Sequence, residues 1–91
     1  MGHLSRDNDA LIKRIRRIAG QIAAIERSLT SEDDCATTLH LVAGARGAMN
    51  GLMDEIVAEH VRAHVASPDL APDVRAAGAE ALIAAIRRYA S

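Results

Sequence analysis

The apolar residues Leu11, Ile15, Ile18, Ile22, Ile25 and Leu29 follow one another at steps of four, three, four, three and four. That spacing keeps them on one stripe of an α-helix and predicts a first helix over about residues 6–29. Ser5 suits its N-cap, and Asp7 and Asp9 complement the positive end of the helix dipole. A second seam runs through Cys35, Leu39, Val42, Arg46, Met49, Met53, Ile56, His60 and His64. Ser31 precedes it as a cap, with Asp34 three residues later in the capping-box position. No proline follows until Pro68, so a very long second helix is predicted over about residues 32–66. Gly44, Gly47 and Gly51 argue instead for a break near Gly47, since each is about 1 kcal/mol less favourable than Ala inside a helix. The unbroken seam favours one continuous helix, with Gly44, Ala45, Ala48 and Gly51 as a small-residue surface for close packing. Ser67 to Ala71 is breaker-rich, and Pro72 suits the first turn of a third helix, about residues 72–90. Its buried positions are expected to be Ala81, Leu82, Ala85, Ile86 and Tyr89.

Composition fits an all-α fold. Of 91 residues, 49% are hydrophobic, yet Tyr89 is the only aromatic residue, so the core must be aliphatic. Runs of alternating β-branched and aromatic residues, which strands need, are missing. The length suits one domain, residues 1–91. A chain this short cannot bury so long a helix alone, so self-association is expected to complete the core. The single cysteine excludes an internal disulfide framework and suits a reducing compartment. No apolar stretch approaches the roughly 18 residues of a membrane-spanning helix, and the first residues hold no signal-peptide core. The expectation is a soluble, cytoplasmic chain without a membrane partner.

The net charge of −1 hides an uneven distribution. Residues 1–30 carry +3, residues 31–64 carry −4, and the remainder balances. Lys13, Arg14, Arg16 and Arg17 form the densest cluster, and no acidic residue lies between Asp9 and Glu26. Most charge runs are solvated helix faces. Repeated in an oligomer, this one becomes a broad surface for DNA phosphates. The chain has no helix-turn-helix signature, zinc-finger spacing or stacking aromatics, so binding would depend on phosphates and duplex shape.

His60 and His64 are one turn apart on one helix face, a spacing that lets two imidazoles hold one metal ion. Such pairs are commonly packed or solvated instead, and a lone cysteine on an apolar stripe is commonly a small hydrophobe. The shared seam of Cys35, His60 and His64 changes this weighing. Cys35 and His60 are 25 residues apart, about 37 Å along a straight helix, so one chain cannot bring them to one ion. Two copies of helix 2 paired antiparallel would place Cys35 of one beside both histidines of the other, giving two equivalent sites. His3 is a candidate fourth ligand with the terminal amine, or simply part of a free tail. His40 lies off the seam. One thiolate with several nitrogen donors suits Ni(II), Co(II) or Zn(II) better than Cu(I), and affinity should fall in acid as the ligands protonate. No organic cofactor is implied. No acid/base pair or phosphate loop accompanies the thiol, so an enzyme is not expected.

Arg14-x-x-Arg17-Ile18-x-Gly20-Gln21, Cys35, the run Arg46-Gly47-Ala48-Met49-Asn50-Gly51-Leu52-Met53, and His60 together resemble the CsoR/RcnR/FrmR family across nearly the whole chain. These are small all-helical repressors that sense metal ions or formaldehyde. The resemblance implies an antiparallel helical-bundle dimer assembling into a flat homotetramer, a dimer of dimers, bound to operator DNA. Arg14 and Arg17 fall on the family's DNA-contacting positions, with Lys13 and Arg16 as helpers. His3, Cys35, His60 and His64 match the ligand set of the nickel/cobalt branch, whereas copper sensors carry a second cysteine where His64 stands. Formaldehyde sensors share Cys35 and His60, lack His64, and typically carry proline where Gly2 stands. Ala63 departs from the acidic residue of the enterobacterial nickel/cobalt branch. The resemblance thus implies a repressor released by Ni(II) or Co(II), derepressing a metal efflux gene. The alternative is a formaldehyde sensor using Cys35 and the N-terminal amine.

Overall fold

The computed structural model describes residues 8–89, which form three helices: α1 (Asn8–Thr30), α2 (Cys35–His64) and α3 (Pro72–Tyr89). The chain divides into two compact units, one ending at Met53 and the other beginning at Asp54. The first holds α1 and most of α2; the second holds the last turns of α2 and α3. Helix α2 runs unbroken for 30 residues through Gly44, Gly47 and Gly51. The proposed N-cap Ser5 lies outside the described residues.

The α1–α2 connection differs from the expected capping box. Ser31 completes the end of α1, its N–H donating to the Arg27 carbonyl at 2.9 Å. The Asp33 N–H then reaches back to the Ser28 carbonyl at 3.3 Å, across Glu32 in the left-handed region at φ 62°. This six-to-one closure satisfies carbonyls left over at a helix C-terminus. Asp34, rather than Ser31, caps α2: its Oδ1 accepts the Thr37 N–H at 2.8 Å. A serine and three acidic residues in succession offered several registers, and the chain uses Ser31 and Glu32 to stop one helix before Asp34 starts the next. Helix α2 therefore begins three residues later than expected.

In the first unit the inward line of α1 is Leu11, Arg14, Ile18, Gln21, Ile25 and Ser28. Ile18 (4% exposed) and Ser28 (3%) are buried, and the other four are half-buried. The expected seam is thus only half covered within the chain. Leu11, Ile18 and Ile25 face inward, but Ile15, Ile22 and Leu29 are exposed, Leu29 by 69%. The line that faces α2 within the chain alternates apolar and polar residues at steps of three and four, which hydrophobicity alone does not reveal. Ala45 is buried on α2 at 7%. Ile18 and Ala45 are the only buried apolar residues among those described.

Three polar rungs define the antiparallel register of α1 on α2 in this unit. The Ser28 and Thr38 hydroxyls pair at 2.7 Å. Gln21 Nε2 stands 4.0 Å from where a Cβ on Gly44 would lie, and Arg14 Nη1 stands 2.8 Å from the corresponding point on Gly51. The small-residue surface of α2 thus admits long side chains of α1.

In the second unit α3 approaches α2 much more closely. A Cβ on Gly78 would collide with the His64 carbonyl, so only glycine permits this crossing. At the other end of the connecting loop, Arg75 donates from one Nη2 to the Ser67 and Leu70 carbonyls at 3.1 and 3.3 Å. Pro72 occupies the first position of α3, where no N–H is needed. Of the five residues expected to be buried on α3, only Leu82 is half-buried; Tyr89 is 66% exposed. The contact is made by backbone at Gly78, which leaves the large side chains outside it.

Candidate metal centre and nucleic-acid interface

His60 and His64 lie in the last turns of α2 and are both half-buried. Their ring centroids are 4.9 Å apart with planes inclined by 44°. His60 Nε2 is 2.9 Å from the Gly78 carbonyl oxygen. A carbonyl can only accept, so this contact requires a proton on Nε2, and in the neutral ring the remaining lone pair is then on Nδ1. The contact fixes the orientation of the ring and the tautomer of its neutral form, the arrangement that makes a histidine an effective ligand. Glu59, one residue before His60, is paired to Arg62 at 3.2 Å, and Ala63 brings no carboxylate. The two imidazoles fit a metal ion that takes nitrogen donors.

Cys35 is the first residue of α2, and its thiol is exposed. It lies in the first unit and the histidines in the second. Among the described residues, no three His, Cys, Asp or Glu side chains of the chain gather in a group able to hold a metal ion. His3 and the terminal amine lie outside the described residues. His40 is exposed.

Lys13, Arg16 and Arg17 are exposed on α1, whereas Arg14 is half-buried. The four predicted DNA-binding residues therefore occupy two environments: three solvated side chains, and one guanidinium seated against α2 at Gly51. No ion pair involves any of them among the described residues.

Sequence reasoning did not anticipate the Gly78 carbonyl as the partner of His60. The available signal was a glycine inside the α3 pattern, a residue about 1 kcal/mol less favourable there than alanine and so a mark of close approach. Gly51 gave the same signal, without showing which side chain it admits.

No helix is long and apolar enough to cross a membrane among the described residues. A family model described as metal-sensitive transcriptional repressor matches residues 7–88. The chain is 43% identical over 89 residues, 98% of each chain, to an uncharacterized protein encoded in the bioA 5′ region of Serratia marcescens. It is 40% identical over 60 residues to a transcriptional repressor RcnR homolog of Escherichia coli O139:H28, covering 66% of this chain and 67% of that one. Among solved structures, a variant of the formaldehyde-responsive regulator FrmR from Salmonella enterica serovar Typhimurium superposes with a TM-score of 0.85 at 39% identity, over 92% of this chain and 94% of that one. With the helical bundle, the histidine pair and the basic α1 in place, these likenesses show that the chain belongs to the CsoR/RcnR family of metal-sensitive transcriptional repressors.

Proposed function

We propose that the chain is a cytoplasmic, homotetrameric repressor whose effector-free form binds operator DNA and is released by Ni(II) or Co(II), derepressing a metal efflux gene. The observation that carries this reading is the His60–His64 pair, with rings 4.9 Å apart and His60 oriented by Gly78. Cys35 of one subunit, with His60 and His64 of the partner subunit, would hold the ion; His3 and the terminal amine are proposed to complete the set. The ion supplies a bond between helices of different subunits. His60 offers Nδ1 because its Nε2 proton is engaged by Gly78.

Self-association is supported by what the chain leaves uncovered. Leu39, Val42, Met49 and Met53 of the α2 seam are exposed in the first unit, and so is Ile56 in the second. Ile15, Ile22 and Leu29 form a further exposed stripe on α1. Apolar stripes of this kind mark interaction surfaces. Lys13, Arg14, Arg16 and Arg17 are proposed to contact DNA phosphates, a regulatory rather than enzymatic role. A tetramer geometry favoured by the intersubunit bond and less suited to DNA would give coupling of about 1–3 kcal/mol.

A second reading has its own support in the exposed Cys35 thiol and the structural likeness to a formaldehyde-responsive regulator. There, formaldehyde would join the Cys35 sulfur to the terminal amine of a neighbouring subunit through a methylene group, with loss of water. Titrating each effector into the preformed DNA complex separates the two. Release by nickel or cobalt alone supports the metal sensor; release by formaldehyde alone overturns it.

A further inference from the structure

We propose that Gly51 is a positioning residue for DNA binding: by lacking a side chain it admits the Arg14 guanidinium onto α2 and presents it to the phosphate backbone. This deepens the reading of α1 as the DNA-contacting helix and rests on it.

The inference starts from an otherwise unexplained glycine. Gly51 lies inside a 30-residue helix, where alanine would be the better residue. Gly47, four residues earlier, has nothing within 4 Å of a Cβ position, whereas Gly51 has Arg14 Nη1 at 2.8 Å and Cζ at 4.0 Å. The guanidinium therefore occupies the space that a side chain at position 51 would fill. The placement is part of a register, because Gln21 lies against Gly44 and Ser28 bonds Thr38 along the same pair of helices. Seven-residue steps along α1 from Ser28 through Gln21 to Arg14 lead to Gly51 on α2.

The sign of the effect follows from the donors. Helical backbone at Gly51 already uses its own carbonyl within α2, so contact with it orders the guanidinium without consuming its N–H groups. Among the described residues no carboxylate pairs with Arg14. An arginine held in one place with its donors open is preorganised for a phosphate, and the entropy of ordering it is not charged to DNA binding.

The test combines Gly51→Ala, Arg14→Ala and their double variant on the full-length protein, with Gly47→Ala as a control for helix propensity. Two readouts are needed: order of the Arg14 side chain by 15N NMR at Nε, and affinity for a duplex as a function of salt. Gly51→Ala should loosen the Arg14 side chain and weaken DNA binding about threefold to tenfold with an unchanged salt slope. Arg14→Ala should weaken binding and lower the slope by about one for each phosphate that Arg14 neutralises. In the Arg14→Ala background, Gly51→Ala should change nothing further. Arg14→Lys retains the charge without the planar fork and should reproduce the Gly51→Ala phenotype, which covers the case in which Gly51→Ala fails to fold. Equal losses from Gly51→Ala in both backgrounds, or an Arg14 side chain as ordered as in the wild type, would overturn the positioning role. Unchanged affinity and slope in Arg14→Ala would instead remove Arg14 from DNA binding altogether, and with it this role, whatever NMR reports about the notch.

Discussion

The two units pack their helices by opposite means. In the first, α1 meets α2 through side chains, with a hydroxyl pair at Ser28–Thr38 and long polar groups laid against Gly44 and Gly51. In the second, α3 meets α2 through backbone, with Gly78 against the His64 carbonyl and its own carbonyl on His60. Side chains change rotamer readily; backbone atoms in contact cannot move without moving the helix. The first arrangement lets α2 seat individual α1 side chains such as Arg14, and the second orients the His60 ring through the backbone of α3 itself. The candidate DNA-contacting residues fall in the side-chain-packed unit and the histidine pair in the backbone-packed one.

Substitution at Gly78 should give the largest effect. Gly78→Ala places a methyl group in the His64 carbonyl, and overpacking of this kind destabilises by about 1–3 kcal/mol. Thermal unfolding should shift down by about 4–8 °C per kcal/mol in a domain of this size. The same variant should weaken Co(II) binding, because His60 loses the acceptor that orients it. Wild-type stability in Gly78→Ala would mean that the second unit is as accommodating as the first.

A smaller loss is expected from the side-chain-mediated unit. Ser28→Ala removes a buried hydroxyl and leaves Thr38 Oγ1 with only a 3.5 Å contact to the Asp34 carbonyl. The loss should be about 1 kcal/mol by urea unfolding followed by circular dichroism. A loss matching that of Gly78→Ala would erase the contrast.

The weakest effect should come from the cap between α1 and α2. Hydrogen bonds from Thr37, the side chain first and the backbone second, hold the Asp34 carboxyl below its ordinary value. A carboxyl whose pKa is lower in the folded chain contributes stability that is present above its unfolded pKa and disappears as pH falls through the folded value. Asp34 is fully exposed, so the contribution is small. The melting-temperature difference between wild type and Asp34→Ala should be greatest near neutral pH and shrink below about pH 4. A difference that persists in acid would assign the effect to helix packing rather than to the ionised cap.

Helix number and type were legible because the seams of α1 and α2 and the Pro72 start are strong local signals. The inward face of α1 was not, because Arg14, Gln21 and Ser28 occupy core-facing positions that periodicity assigns to solvent. Their burial depends on gaps and a hydroxyl supplied by α2, a tertiary fact absent from α1 itself. The Ser31/Asp34 cap was misplaced for a related reason: adjacent residues can all accept an N–H, and the choice is made by how α1 ends. The histidine pair was legible from its four-residue spacing. Its Gly78 partner, 18 residues beyond His60, was not.

The most direct test of the central claim, a Cys35–His60–His64 site shared between subunits, is complementation. A Cys35→Ala chain and a His60→Ala/His64→Ala chain are prepared separately, and also co-refolded in equal amounts, before Co(II) is added under anaerobic conditions. An antiparallel mixed dimer would contain one intact site, so the thiolate-to-cobalt absorption band should be absent from each variant alone and return in the mixture. Failure of the band to return in verified mixed oligomers, or a full band in either variant alone, would contradict a site shared in this way.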